Sequence, residues 1–209
     1  MLGRNTINKP LNTLDDVEIA RSLIYRLLGH ALAQPPDADS LDRFTRLAGD
    51  SSAIGTAVGA LALAAVGTTV QAARAEYDAL FIGIARGELV PYGSFYLTGF
   101  LHERPLARVR EDLERLGIAR VPGRSDPEDH IATLCEVMAT LIERYSPEDQ
   151  AAFFSRHLAP WAIRFFGDLQ NAASARLFRP VGAVGQMMLE IDRQGFAYAA
   201  DAPMQRGAA

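Results

Sequence analysis

Residues 14–36 read LDDVEIARSLIYRLLGHALAQPP, and their pattern decides the fold class. Apolar side chains recur there at intervals of three and four residues, at Leu14, Val17, Ala20, Leu23, Ile24, Leu27, Leu28 and Ala31. This spacing places them on one face of an α-helix. Thr13 and Asp16 are suited to cap the first turn, and Pro35-Pro36 ends the helix. The stretch therefore predicts an amphipathic helix.

The rest of the chain continues the helical pattern. Pro105, Pro127 and Pro147 each suit the first position of a helix, and Gly117 is suited to end the helix that Pro105 begins. No stretch alternates apolar and polar residues at strand spacing. The sequence therefore predicts an all-α protein of about seven to nine helices. Besides the first helix, the predicted segments are 40–47, 52–85, 105–116, 126–144, 147–158, 160–169 and 178–194.

The length of 209 residues suits one domain with a substantial buried core. The helical pattern covers residues 14–198, where we expect a single helical domain. Residues 1–13 are polar, and residues 199–209 are small and polar, which is typical of flexible termini. We therefore expect a flexible N-terminus and a flexible C-terminal tail.

The composition excludes several kinds of protein. With 25 acidic and 21 basic side chains the net charge is −4 and the pI about 5.6, which argues against nucleic acid as the main partner. One cysteine and four histidines exclude a disulfide framework, an iron–sulfur cluster and a cysteine-rich zinc site. Phosphate-loop and dinucleotide motifs are also missing from the sequence. We predict neither a metal nor a cofactor.

The N-terminal 14 residues lack the apolar core of a secretory signal, and together with a free thiol this predicts a cytoplasmic protein. Residues 51–73 carry no charge and are long enough to span a bilayer. Alanine, glycine, serine and threonine dominate that stretch, however, and few large apolar residues offset the backbone. We therefore expect a buried helix there and no stable membrane insertion.

Two segments, 87–99 and 120–125, interrupt the helical pattern, and connecting segments often carry recognition residues. In the first, Tyr92, Phe95 and Tyr96 lie within five residues and flank Ser94, while Pro91 and Gly93 keep the backbone out of a regular helix. Aromatic rings with polar tips suit a partly wet groove. A turn whose aromatic rings fill the core would use the same residues.

Residues 126–130 read DPEDH. Asp126 can cap the following helix, and Glu128 and Asp129 complement the positive end of its dipole. A helix start does not require His130, which can serve as a base, a metal ligand or a hydrogen-bond anchor. No His or Cys stands three or four positions later, which disfavours a metal. Residues 126–130 are therefore compatible with two interpretations, a helix cap and a binding site.

Two further features indicate core packing. Trp161, Phe165 and Phe166 share roughly one helical face, and His157, near the end of a helix, can bind its last carbonyl groups. Cys135 stands among apolar neighbours in a predicted helix, which favours an inert buried thiol.

Taken together, the ordered segments resemble the TorD/DmsD family, cytoplasmic chaperones dedicated to molybdenum-cofactor enzymes. The family shows Tyr-x-x-Leu-Phe, then Pro-aromatic-x-Ser, then Glu-Pro-x-Asp-His. Here these motifs are residues 77–81 (YDALF), 91–96 (PYGSFY) and 126–130, and residues 157–161 (HLAPW) also fit. Asp126 stands where the family commonly has Glu, which keeps the charge and shortens the reach. The resemblance covers roughly residues 14–195.

The resemblance implies a TorD-like helical domain, a monomer or domain-swapped dimer, that is not an enzyme. Such a chaperone binds the twin-arginine signal peptide, the apo form, or both, of a molybdenum-dependent oxidoreductase precursor, and holds it for cofactor insertion and assembly before export. Carboxylates would bind the arginine pair, and a groove between helices would take the apolar stretch. The implied binding residues are Tyr77, Leu80, Phe81, Tyr92, Ser94, Phe95, Asp126, Glu128, Asp129 and His130.

Two alternatives remain. A related chaperone would assemble a cytoplasmic molybdoenzyme and recognise a terminal segment without twin arginines. A small serine hydrolase would use Ser94 with His130 or His102, although no Gly-x-Ser-x-Gly motif surrounds Ser94.

Overall fold

The computed structural model describes residues 14–83, 86–119 and 126–201. These residues form ten α-helices and no β-strand beyond a single bridged pair, so the predicted all-α class is confirmed. Two π-helical turns, Asp78–Ile82 and Phe154–Leu158, directly continue the fourth and eighth helices. The helices are α1 Asp16–Ala33, α2 Ala38–Thr45, α3 Ala53–Val66, α4 Val70–Tyr77, α5 Gly93–Thr98, α6 Arg104–Leu116, α7 Ile131–Arg144, α8 Pro147–Phe153, α9 Ala162–Asn171 and α10 Phe178–Asp201.

Some predictions concern residues outside the described ranges. The flexible N-terminus expected at 1–13 and the connecting segment at 120–125 both lie outside them. Helix α10 continues past its predicted end at residue 194 and includes residues 199–201, which the sequence pattern assigns to the flexible tail. Residues 202–209 lie outside the described ranges.

The start of α1 differs from the prediction. Asp15, not Thr13, caps the helix: its carboxylate accepts a hydrogen bond from Glu18 N at 2.8 Å. The Glu18 carboxylate in turn accepts one from Asp15 N at 3.2 Å, which completes a reciprocal capping box. The end of α1 before Pro35-Pro36 agrees with the prediction.

The helix predicted over 52–85 is divided into two. The first part, α3, ends with Gly67 as its C-cap residue. Thr69 caps the second part, α4, because its side chain accepts a hydrogen bond from Ala72 N at 3.2 Å. The division and the short helix α5 together raise the count to ten. Within the described ranges no single helix has the length and apolar character needed to cross a membrane. Among the described residues, one pair of helical segments, α3 and Val70–Ile82, together has the length and composition of a membrane span, but the two segments are bent by 118° relative to each other.

One continuous cluster of buried side chains extends from Tyr25 to Leu189. Within it α1 packs mainly against α7, and α10 packs against α9 and α3. At Gly29 the α1 backbone approaches α7 so closely that a Cβ atom would lie 2.8 Å from Glu136 Cγ. Glycine at this position therefore sets the spacing of α1 and α7.

The predicted apolar face of α1 is only partly correct. Leu28 and Ala31 are buried as expected, but Val17 and Leu23 are 66% and 60% exposed. The neighbouring helices cover a narrower stripe of α1 than its apolar residues occupy, and Tyr25 is fully buried within that stripe.

A buried ionic network joins α1 to α10. The Tyr25 hydroxyl donates to Asp192 Oδ2 at 2.8 Å. Arg21 donates to the same carboxylate with Nε at 2.7 Å and with its terminal nitrogen at 3.1 Å. Asp192 is only 3% exposed, so these contacts compensate the burial of its charge.

Two of the remaining core predictions agree with the structure, and the third does not. Trp161, Phe165 and Phe166 are buried as expected, although α9 begins at Ala162 and not at Pro160. Cys135 is fully buried, and burial raises the pKa of its thiol, so the predicted inert thiol is supported. His157 was predicted to bind the last carbonyl groups of its helix. Instead its Nε2 lies 2.7 Å from Asp112 Oδ2 on α6.

Candidate functional site

The second and third motif segments lie against each other. Tyr92 and His130 form an antiparallel backbone bridge. On either side of it, Gly93 N donates to Asp129 O and Ile131 N donates to Pro91 O, each at 2.9 Å. We call this paired arrangement, residues 91–94 with 129–131, the clasp. The backbones of the second and third motif segments are therefore in direct contact.

A buried carboxylate reinforces the clasp. Asp129 is 1% exposed, and its Oδ2 accepts hydrogen bonds from the backbone N of Ser94, at 2.7 Å, and from the Ser94 hydroxyl. Ser94 itself is fully buried and lies in the first turn of α5. The carboxylate thus compensates a donor that the helix leaves unpaired. This explains why residues 93–98 form a helix, contrary to the irregular backbone predicted for them.

The start of α7 also differs from the prediction. The helix begins at Ile131, and not at Asp126 with Pro127 in first position. His130 is the capping residue, and its Nδ1 accepts a hydrogen bond from Ala132 N at 3.2 Å. The carboxylate of Asp129 points to α5 and not to α7, so residues 126–130 form the turn before the helix. His130 is therefore explained by a capping role that the sequence pattern did not indicate.

Tyrosines and carboxylates meet beside the clasp. The Tyr92 hydroxyl donates to Asp126 Oδ1 at 3.0 Å, and the Tyr92 ring lies edge-on to His130, with centroids 4.9 Å apart. Burial, assisted by the charge of Asp126, raises the pKa of Tyr92. Burial also raises the pKa of Tyr77 to about 12, with smaller contributions from Asp126 and Asp78. The second and third motifs therefore form one acidic surface, and the charge of Asp126 also acts on Tyr77 of the first motif.

The charges of this surface have specific neighbours. Glu128 accepts a hydrogen bond from Arg110 Nε at 2.8 Å. Asp78 is exposed at the start of the π-helical turn, and sequence reasoning missed it. Asp78 lies inside the motif at 77–81, and this position could have indicated it. The motif is defined by its tyrosine, leucine and phenylalanine residues, however, so the sequence pattern did not select Asp78.

The first motif mainly builds the core. Tyr77 and Leu80 are buried, and the Tyr77 ring packs against Phe81 and Phe178 with centroids 4.9 and 5.8 Å away. The Tyr77 hydroxyl donates to Leu32 O at 3.2 Å. Phe81 is only half-buried. A bound segment can therefore reach Phe81 directly but not Leu80.

The ten predicted binding residues thus fall into two sets. The buried set holds the site in place, whereas the half-buried set is accessible to a partner. The buried residues are Tyr77, Leu80, Ser94, Asp129 and His130. The half-buried residues are Phe81, Tyr92, Phe95, Asp126 and Glu128.

The arrangement of Ser94 argues against the serine-hydrolase alternative. The Ser94 side chain is fully buried and its hydroxyl donates to Asp129, so it lacks the access and the donor freedom of a serine nucleophile. Across residues 14–83, 86–119 and 126–201, no group of three or more His, Cys, Asp and Glu side chains is arranged to hold a metal ion.

Comparison with known proteins places the chain. The family model described as nitrate reductase delta subunit matches residues 47–167, more than half of the chain. The chain belongs to this family. The resemblance to TorD and DmsD is confirmed by curated relatives that carry those names.

Two of these delta-subunit-family relatives illustrate the relationship. The chaperone protein TorD of Vibrio cholerae is 30% identical over 103 residues, which cover 44% of this chain and 47% of the relative. A protein of Haemophilus influenzae named a probable Tat proofreading chaperone DmsD is 28% identical over 106 residues, covering 50% and 52%. The chain thus spans about half the length of the curated relatives it matches.

A solved structure shares the fold of this delta-subunit-family chain. It is a redox enzyme maturation protein from Archaeoglobus fulgidus, with a TM-score of 0.57 and 21% sequence identity. The match covers 81% of this chain and 93% of that one. The TorD-like helical architecture is therefore shared by both proteins.

Proposed function

We propose that this protein is a cytoplasmic maturation chaperone, and not an enzyme, for a molybdenum-dependent oxidoreductase. It binds the twin-arginine signal peptide, the apo form, or both, of the client subunit until cofactor insertion is complete. The observation that carries the proposal is the contact between the second and third motifs, in which the Tyr92 hydroxyl donates to Asp126 at 3.0 Å. The chaperone names of the curated relatives support the same function.

The half-buried set provides the contact surface in this proposal. Phe81, Tyr92 and Phe95 offer aromatic surface to the apolar stretch of a signal peptide. Asp126 and Glu128, with the neighbouring Asp78, supply carboxylates for the arginine pair. The buried set acts differently: Asp129, Ser94 and His130 hold the clasp and position the contact residues.

Calorimetric titration of the full chain with a synthetic twin-arginine signal peptide tests the proposal. A peptide with Lys-Lys in place of Arg-Arg should bind at least tenfold more weakly, because lysine lacks the bidentate geometry of arginine. The double variant Asp126→Asn with Glu128→Gln should lose a similar factor. The matched control, Asp39→Asn with Asp42→Asn, removes two carboxylates from exposed positions on α2 and should bind normally. Equal affinity for both peptides would contradict arginine recognition.

A second candidate is an assembly chaperone for a cytoplasmic molybdoenzyme that lacks twin arginines. It is favoured by the fact that all three predicted arginine-binding carboxylates already have internal partners: Asp129 accepts from Ser94, Asp126 accepts from Tyr92, and Glu128 pairs with Arg110. Co-purification of the tagged chain with its client, followed by mass spectrometry, separates the two candidates. A bound molybdoenzyme subunit without a twin-arginine leader would select the second.

A further inference from the structure

An open groove of about 510 Å³ is lined by side chains from residues 86–96 together with Arg164 and Asp168 of α9. Leu89, Val90 and Phe95 give it an apolar wall. Two arginines, Arg86 and Arg164, also line it, and both are exposed. Sequence reasoning gave neither arginine a role.

Both guanidinium groups lie over aromatic rings. The Arg86 guanidinium carbon is 5.4 Å from the centre of the Phe95 ring, and that of Arg164 is 4.8 Å from the centre of the Tyr96 ring. The two rings are 6.3 Å apart, so the arginines belong to the same groove. Arg164 also donates to Tyr96 O at 2.6 Å. Stacking on a ring holds a guanidinium in place while leaving N–H donors at its edge for a ligand.

Two carboxylates, Glu88 and Asp168, also line the groove, and each accepts hydrogen bonds from a neutral donor. Glu88 accepts hydrogen bonds from the backbone N of Ser174, at 3.2 and 3.3 Å. Asp168 accepts one from the Tyr96 hydroxyl at 3.0 Å. Within the described part of the chain, neither Arg86 nor Arg164 forms an ion pair with a carboxylate. The donors that the groove offers to a ligand are therefore cationic.

We propose that this groove binds a carboxylate-bearing segment of the client protein, an acidic residue flanked by an apolar one. The inference rests on the proposed chaperone function and adds a recognition element opposite in charge to the twin arginines. Arginine forms bidentate hydrogen bonds to carboxylates, and the adjoining wall of Leu89, Val90 and Phe95 accommodates the apolar neighbour. Because the rings hold both guanidiniums, little conformational entropy is lost on binding.

Fluorescence anisotropy on the full chain tests this inference. The probes are two labelled twelve-residue peptides that are identical except that one carries two Glu residues beside Phe-Leu and the other carries Gln. Wild-type protein should bind the Glu peptide at least tenfold more tightly, and the preference should weaken as salt is raised. Arg86→Gln with Arg164→Gln should remove the preference. Arg43→Gln with Arg46→Gln, which removes the same charge from α2, should retain it.

The outcomes separate this inference from the proposed function. Arginine-dependent binding of the Glu peptide without binding of any twin-arginine peptide would support the groove and not the signal-peptide role. Equal affinity for both probes would overturn the groove, whatever the signal peptide does. Inorganic phosphate that binds more tightly than the Glu peptide, with the same dependence on Arg86 and Arg164, would also overturn it. Unchanged circular dichroism verifies that the exposed substitutions leave the fold intact.

Discussion

Asp129 and Ser94 are 35 residues apart in sequence, and two hydrogen bonds join them in the buried interior. Through this contact the segment before α7 determines where α5 begins. The acidic motif at 126–130 therefore has a divided role: Asp129 holds the backbone, whereas Asp126 and Glu128 remain half-buried at the surface. Substitution of Asp129 therefore tests a structural role, whereas substitution of Asp126 or Glu128 tests a binding role.

Asp129→Ala should destabilise the protein by about 1–3 kcal/mol, because it leaves the buried N–H and hydroxyl of Ser94 without an acceptor. Asp129→Asn should lose less, since its amide oxygen can still accept a hydrogen bond. Urea denaturation followed by circular dichroism measures both changes. Unaltered stability of Asp129→Ala together with lost peptide binding would instead assign Asp129 to the contact surface.

The buried pair of Asp112 and His157 should make stability depend on pH. Burial lowers the pKa of His157 below 6.5, although its hydrogen bond to Asp112 acts in the opposite direction. Below pH 6.5 the unfolded chain therefore binds a proton that the folded chain does not yet bind. The free energy of unfolding should fall as the pH decreases from 6.5, by at most about 1.4 kcal/mol per pH unit from this group.

Denaturation midpoints at pH 7.5, 6.5, 5.5 and 4.5 measure this dependence. His157→Gln keeps a donor toward Asp112 and should flatten the profile over that range. His102→Gln, at an exposed position, provides the control and should behave like wild type. The stabilising contribution of Asp112 should be present above pH 3.8 and be lost as the pH falls below that value. Burial alone would raise its pKa, but hydrogen bonds from His157, Arg115 and Arg156 outweigh burial and lower it. Identical profiles for His157→Gln and wild type would refute the assignment.

Glu76 should act as a long-range cap for α10. Its carboxylate accepts hydrogen bonds from Arg176 N at 2.7 Å, Phe178 N at 2.8 Å and Leu177 N at 3.1 Å. Glu76→Ala leaves these donors at the helix start unpaired and should cost about 1–3 kcal/mol of stability. Glu88→Ala removes contacts to Ala173 and Ser174, which lie in a turn outside any helix, and should cost less. Thermal unfolding compares the two, and equal losses would argue against a special role for Glu76.

Asp192→Ala should be among the most destabilising single changes, at about 3–5 kcal/mol, because it leaves Arg21 without its buried partner. Tyr25→Phe removes one hydrogen bond to Asp192 and should cost about 1 kcal/mol. Urea denaturation of both variants and of their combination measures the coupling. Asp39→Ala, at a carboxylate that is 85% exposed, is the control. A loss within 1 kcal/mol of that control would show that the network contributes little.

The features predicted well from the sequence are those set by near neighbours in the chain. Gly117 ends α6 and Pro147 begins α8 as predicted, and Pro105, the predicted first residue of α6, stands one position after the observed first residue. The helical spacing also predicted the all-α class. These signals act within one turn of helix, so the sequence alone contains them.

The features missed from the sequence depend on contacts between distant segments. The starts of α5 and α7 are determined by the Ser94–Asp129 contact, and His157 binds a carboxylate 45 residues away. Arg86 and Arg164 became notable only when the fold brought them into one groove. The motif pattern located the candidate site, but the division between buried and accessible residues required the three-dimensional arrangement.

Photocrosslinking tests the central claim most directly, namely that a client segment binds beside the clasp. p-Benzoylphenylalanine is introduced in place of Phe81, Tyr92 or Phe95, and in a control protein in place of Tyr198, which is 81% exposed on α10. The full chain is then irradiated with a twin-arginine signal peptide. Crosslinked peptide is expected at the three site positions and not at the control position. Crosslinking at position 198 with none at 81, 92 and 95 would contradict the claim.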